Sequence, residues 1–317
     1  MKKIITIGEI LVEIMATEVG DGFLEPISLV GPFPSGAPAI FIDQAAKLGH
    51  PCGMIGCVGD DDFGRLNVER LRRDGADVSA IAVDPDRPTG SAFVRYRADG
   101  SRDFVYNIRH SASGSIALTP AAEALIAEAD HLHVMGTALA SPALAAMVRT
   151  ALAGVRSRGG TVSFDPNLRK ELLAAPGVRA ALEEILSQTD LFLPSGDELF
   201  LVSDSTDEAV AAGELLARGI RTVVVKKGAE GSVSYDAAGR HSAPAFPVEE
   251  IDPTGAGDTF GATLVTLWLR DTPPEQALIL ANASGALAVG RKGPMEGTST
   301  RAELDAFVAR QNPQERA

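Results

Sequence analysis

Short apolar, β-branched runs alternate with longer helical patterns along this 317-residue chain, and that order of elements limits the folds open to it. The runs fall at Lys3–Ile7, Met54–Val58, His131–Met135, Thr161–Phe164, Leu191–Leu193, Thr222–Lys226 and Ser232–Tyr235. Phe63–Arg73, Pro142–Arg158, Glu208–Ala217 and Pro274–Val289 read as helices between them. Strands separated by a crossover helix pair in parallel, and the helices cover both faces of the sheet. The pattern predicts an α/β fold with a mostly parallel central sheet and ligands bound beyond the carboxyl ends of its strands.

Two regions break the alternation. Phe23–Val30 reads as extended after a Gly-Asp-Gly turn, and Ala92–Arg97 and Asp103–Ile108 flank Ala98-Asp99-Gly100-Ser101. Asp-Gly between alternating runs signals a hairpin. These segments do not suit a parallel sheet, so they are expected to form a small β lid from about residues 9–31 and 89–109. The rest of residues 1–310 is expected to form one unit, followed by a polar tail at 311–317.

The composition excludes several partners. A net charge of −13 disfavours nucleic acid or an anionic membrane surface. It does not exclude a phosphate ligand, which local N–H groups and a divalent cation can hold. No run reaches ~18 consecutive apolar residues, so no membrane span is expected. Cys52 and Cys57 read as buried small hydrophobes in a reducing cytoplasm. The N-terminal apolar run, interrupted at Thr6 and stopped at Gly8-Glu9, reads as a first strand.

The chemistry concentrates at Asp252-Pro253-Thr254-Gly255-Ala256-Gly257-Asp258. Gly255 and Gly257 allow left-handed backbone angles and close approach to a ligand. The N–H groups of such a turn, leading into a helix, form a nest for an anion. Asp258 falls in the first helical turn, where it can accept a proton from an attacking hydroxyl. The spacing Gly255-x-Gly257-x-x-x-Gly261 is one residue too long for the dinucleotide fingerprint, and no Gly-Lys pair supports a Walker A loop. The following helix is expected to present Phe260, Leu264, Leu267 and Trp268 as one apolar face.

The heptapeptide resembles the C-terminal signature of the ribokinase-like (PfkB) carbohydrate kinases, and the likeness covers nearly the whole chain. Gly8–Glu13 is similar to the family's first strand. Ser35-Gly36-Ala37-Pro38-Ala39 and Gly56-x-Val58-Gly59-x-Asp61-x-Phe63-Gly64 are similar to its N-terminal signature. Phe164–Arg169 resembles the Asp-x-Asn-x-Arg stretch of fructokinase and 2-keto-3-deoxygluconate kinase relatives.

The resemblance implies an α/β/α sandwich with a lid that often forms a homodimer contact. It implies Asp258 as base, with the N–H groups of Gly255, Ala256 and Gly257 on the γ-phosphoryl of ATP. Mg²⁺ is then held mostly through waters with Glu198 in its outer shell, and Asp252 and Thr254 are candidates for a K⁺-type monovalent-cation site. Lys226, Gly228, Gly231 and Asn282 would flank the nucleotide. Gly36, Ala37, Glu13, Ile40, Tyr106 and Arg169 would line the sugar.

Departures from the family pattern bear on the substrate. Ser195 replaces the family's Asn in Asn-x-x-Glu, Ile40 replaces another Asn, and Glu13 stands where Asp is usual. Aligning Ser111-Ala112 puts Ile108 where acid-sugar kinases carry a carboxylate-reading Arg, while Arg109 falls on the opposite strand face. The expected substrate is therefore a neutral ketohexose such as fructose or tagatose, with 2-keto-3-deoxygluconate second. A catalytically silent sugar or nucleotide sensor on the same fold and a nicotinamide oxidoreductase are the other-class alternatives. His131 and His133 share one strand face without a third ligand and read as packing rather than metal binding. Asp60-Asp61-Asp62 reads as a solvated turn and helix start, and His110 ranks below the residues above as a sugar contact.

Overall fold

The computed structural model describes residues 1–167 and 177–311, so Arg169 and the tail from 312 lie outside the described residues. The strands are β1 (Ile4–Ile7), β2 (Leu11–Ala16), β3 (Leu29–Ser35), β4 (Cys52–Gly59), β5 (Ile81–Asp84), β6 (Gly90–Tyr96), β7 (Arg102–Asn107), β8 (His131–Met135), β9 (Thr161–Asp165), β10 (Leu191–Phe192), β11 (Thr222–Lys226), β12 (Ser232–Asp236) and β13 (Gly239–Ala243). The helices are α1 (Ala37–Lys47), α2 (Asp62–Asp74), α3 (Pro120–Glu128), α4 (Pro142–Ser157), α5 (Val178–Leu186), α6 (Glu208–Ala217), α7 (Ala256–Trp268), α8 (Pro274–Val289) and α9 (Arg301–Gln311).

A nine-stranded sheet runs in the order β13-β12-β11-β10-β9-β8-β1-β4-β5. It is parallel except where β12 and β13 add antiparallel at one edge. Every apolar run expected to be a strand belongs to this sheet. Side chains alternate between faces along a strand, and both faces are apolar here. Val223 and Val225 join a core with α3, α4, α5 and α6, while Val224 points to a second core under α1, α7, α8 and α9. That makes three layers.

Two expectations are corrected. Residues 23–28 are turn and irregular chain rather than strand; the strand starts at Leu29 and pairs with β2. Pro32 and Pro34 are tolerated within it because β3 is an edge strand. Helix α7 is buried along Thr259–Leu267 rather than on one stripe, because α1, α8 and the sheet enclose it.

His131 and His133 are buried, as expected of packing residues. His131 meets Thr161 Oγ1 at 2.7 Å and Ser163 Oγ at 2.8 Å, and His133 stacks on Phe41. Burial drives both imidazoles to the neutral form, His131 down to about 3. Asp61 caps α2 by accepting from Gly64 N at 2.8 Å and also receives the Thr89 N–H and hydroxyl. Among the described residues no helix is long and apolar enough to cross a membrane, and no cluster of three metal-ligating side chains occurs.

The lid is a separate four-stranded sheet in the order β3-β2-β6-β7. The Asp99-Gly100 hairpin joins β6 to β7 antiparallel, as expected, while β2 and β6 pair in parallel. Register sets Glu13, Ala92 and Tyr106 in one cross-strand row, and pairs Tyr96 with Arg102.

Candidate active site

Five adjacent parallel strands deliver polar side chains to one end of the sheet. Glu9 follows β1, Thr137 follows β8, Asp165 ends β9, Ser195 follows β10 and Lys226 ends β11. With the lid above them they enclose a cavity of about 740 Å³, floored by Gly255, Gly257 and Asp258. A second cavity of about 550 Å³ opens on the other side of the turn. Its walls include Gly228, Gly231, Phe246, Asn282 and Val289. Lys226, Pro253 and Gly257 line both. The two cavities therefore meet at the Gly-rich turn.

Gly255 caps α7 in the left-handed conformation with φ 83°. A Cβ there would stand 2.4 Å from the Pro294 carbonyl oxygen, so the turn excludes a side chain on both counts. The first N–H groups of α7 have no intrahelical acceptor, and Ala256 N makes only a 3.4 Å contact with Pro253 O. Asp252 holds the turn from below. Its Oδ1 accepts from Tyr96 Oη at 2.6 Å and Thr254 N at 3.0 Å, and its Oδ2 from Gly293 N at 3.0 Å.

Asp258 is half-buried on the floor of the first cavity. Burial pushes its carboxyl up to about 8, with Asp165, Glu9 and Glu13 adding and the Lys226 ammonium opposing. Because the side chain still opens to the cleft, solvent tempers the shift. Its direction yields a carboxylate of raised basicity, suited to taking a proton from a hydroxyl. Glu9 and Glu13 are each pushed up to about 7, chiefly by burial. Ser35 donates to Glu13 at 2.8 Å, and Thr137 to Glu9 at 3.3 Å.

The structure brings Gly36, Ala37, Glu13, Ile40 and Tyr106 together around the same cavity as Asp258. Ile40, however, is only 2% exposed and packs beneath Gly255, 3.3 Å from where a Cβ would lie. It lines the cavity and also supports the turn. Asn282 donates to Ala243 O and Pro244 O, at 3.0 Å each, and so shapes one wall of the second cavity. Glu198 lies on the short helix after β10, with its Oε2 accepting from Ser195 N at 2.7 Å. Arg109 and His110 line a third cavity, outside the lid, with Asp62 and Phe63. His110 is thus not among the residues lining the Asp258 cavity.

Sequence reasoning did not assign Arg102, Glu9, Asp165 or Thr137. Arg102 was detectable. Counting back in twos from Ile108 along the expected strand puts Arg102 on the same face; in the structure β7 ends at Asn107 and Arg109 falls in the turn beyond it. Arg102 lines the cavity, donates to Thr254 Oγ1 at 2.9 Å and lies 5.3 Å over the Phe104 ring. Tyr96 and Arg102 thus tie the lid hairpin to residues 252–254 of the turn.

Two cavities that meet at a Gly-rich turn, with a carboxylate on one side, suit the transfer of a phosphoryl group from one small molecule to another. The family model for pfkB family carbohydrate kinases matches residues 1–301. The 2-dehydro-3-deoxygluconokinase of Thermoproteus tenax is 32% identical over 97% of this chain and 94% of its own length. The fructokinase of Escherichia coli is 34% identical over 86% and 91%. A putative ribokinase II from E. coli, solved in complex with ATP and Mg²⁺, superposes with a TM-score of 0.93 at 45% identity, covering 98% of this chain and 100% of that one. The chain belongs to the pfkB family of carbohydrate kinases. It is a sugar phosphotransferase, which retires the oxidoreductase alternative.

Proposed function

We propose that this sugar kinase transfers the γ-phosphoryl of ATP, with Mg²⁺, to a primary hydroxyl of a neutral ketohexose of the fructose or tagatose type, with Asp258 as base. The observation that carries the substrate class is the make-up of the acceptor cavity. Glu9, Glu13 and Asp258 line it, and Ile108, just past the end of β7, lines it at the position where the resemblance puts the arginine of acid-sugar kinases. Carboxyl groups accept hydrogen bonds from sugar hydroxyls and repel a carboxylate.

The second cavity, walled by Phe246 and Val289, suits an apolar purine face with its phosphates directed to the turn. Glu198 is assigned to the outer shell of Mg²⁺. Asp252 already accepts three hydrogen bonds. That leaves roughly one of its four lone-pair sites for a monovalent cation shared with Thr254. The same reading makes residues 1–310 one cytoplasmic catalytic unit whose lids pair two copies.

A coupled ADP-release screen over ketoses, aldoses, acid sugars and nucleosides tests the proposal, with Asp258→Asn as blank. Fructose or tagatose is expected to give the highest kcat/KM. A first rank for 2-keto-3-deoxygluconate would reject the neutral-sugar argument.

Arg102 favours that second reading, because it brings a guanidinium to the acceptor cavity. A charge-assisted hydrogen bond contributes about 1.5–3 kcal/mol. If Arg102 reads a substrate carboxylate, Arg102→Gln loses about 10- to 100-fold in kcat/KM for the acid sugar alone. If the substrate is neutral, the acid-to-neutral ratio stays as in the wild type.

A further inference from the structure

Lys226 is the one charged residue among the three that line both cavities. Its Nζ lies 2.5 Å from Asp165 Oδ2, and the two side chains are 11% and 2% exposed. They stand at the carboxyl ends of β11 and β9, and Lys226 N donates to Pro194 O at 2.9 Å. Lys227 turns the other way and pairs with Glu208 at 3.1 Å. A Cβ on Gly257 would stand 3.9 Å from Lys226 Nζ, so the ammonium lies close over the second glycine of the turn. Among the described residues Asp165 Oδ1 is buried without a hydrogen-bond partner. The ion pair alone therefore leaves Asp165 half satisfied at the edge of the acceptor cavity.

We propose that Lys226 contacts the phosphoryl group in transit between the two cavities, and that Asp165 acts through it as a positioning residue. The inference rests on the kinase reading above and adds a role to the nucleotide-side one expected of Lys226. In the transfer the acceptor oxygen forms a bond to the γ-phosphorus. The bond from that phosphorus to the bridging oxygen breaks, and its electron pair leaves on ADP. The hydroxyl proton passes to the Asp258 carboxylate. Charge moves from one cavity toward the other, and a fixed cation at their junction stabilises it without reorganisation. Lysine suits this place because its ammonium is a compact point charge, here held by Asp165. The buried ammonium needs the Asp165 carboxylate as partner. Lys226 also offsets the carboxylates that face Asp258 from β9, from the segment after β1 and from β2, namely Asp165, Glu9 and Glu13.

The test compares Lys226→Met, Lys226→Arg and Asp165→Asn with the wild-type enzyme by steady-state kinetics between about pH 6 and 9, and by calorimetric titration with ATP and with ADP. Lys226→Met is expected to lower kcat about 100-fold and to weaken ATP about tenfold while sparing ADP; Lys226→Arg recovers part of kcat. The acid limb of kcat/KM moves to higher pH in Lys226→Met and to lower pH in Asp165→Asn, because the first loses a cation and the second an anion beside the base. An unchanged ATP-to-ADP affinity ratio with an unmoved limb would show a merely structural ion pair and overturn the proposal. Should Lys226→Met not fold, the double variant with Asp165→Asn removes both buried charges. It is expected to show the same loss of ATP preference, and retention of that preference also overturns the proposal. A wild-type enzyme that binds no ATP would instead defeat the kinase reading, and this inference with it.

Discussion

Asp258→Asn is expected to lower kcat about a thousandfold while leaving the fold and ATP affinity in place. Asparagine keeps the shape and the helix position but cannot take the proton of the acceptor hydroxyl. More than a tenth of the wild-type rate in the variant would reject Asp258 as the base. The wild-type pH profile carries the same information. Burial and the Asp165 charge push this carboxyl up to about 8, so it is increasingly protonated below that pH. The ratio kcat/KM, which reports the free enzyme, is expected to be highest above about pH 8 and to fall as the pH drops through that value.

Stability runs the opposite way. A carboxyl whose folded-state affinity for protons exceeds its unfolded one favours folding at low pH. That contribution is lost as pH rises from the ordinary carboxylate range through about 8. Glu9 and Glu13, pushed up to about 7, act in the same direction. Asp258→Asn should therefore melt at or above the wild-type temperature at pH 8, a gain in stability beside a loss of function. A lower melting temperature would mean that the carboxylate, not merely its shape, holds the turn together.

Gly255→Ala should lose about 100-fold in kcat and also destabilise the protein. Its φ of 83° costs an L-residue about 1–2 kcal/mol. The added methyl would also stand 2.4 Å from the Pro294 carbonyl oxygen, so backbone must shift. The shift misdirects the N–H groups of the turn, and each well-aimed donor to developing charge carries about 10²–10³ in rate. Gly257→Ala gives the contrast. The nearest atom to its Cβ would be Lys226 Nζ at 3.9 Å, so the fold tolerates it. The methyl would instead enter the junction of the cavities, and kcat is expected to fall without a change in melting temperature. Gly255→Ala equal to wild type in both measurements would remove the turn from the mechanism.

Much of this was legible because it is local. Lys3–Ile7 and Thr222–Lys226 carry apolar side chains on both faces, as a strand covered by helices on both sides requires, and both hold such strands. The Asp99-Gly100 hairpin needed nothing beyond its own residues and formed as read. Elements whose pattern depends on their surroundings were not legible. Helix α1 is buried nearly all round and shows no polar face, and β5 and β13 are short edge strands. Ile40 read as a reshaped sugar contact, yet its packing under Gly255 depends on a neighbour more than two hundred residues away.

By itself the sequence determined the parallel sheet, the lid hairpin, and a Gly-rich turn with a carboxylate in the first turn of the helix that follows. Each follows from period, glycine stereochemistry and residue type within a few positions. Only the tertiary structure decided what surrounds that carboxylate. Glu9, Glu13, Arg102, Asp165 and Lys226 arrive from five separate strand ends or lid strands. Their approach depends on strand order, register and lid docking, which no local pattern encodes. The charge balance around Asp258, and with it the proton affinity of its carboxyl, arises from that convergence.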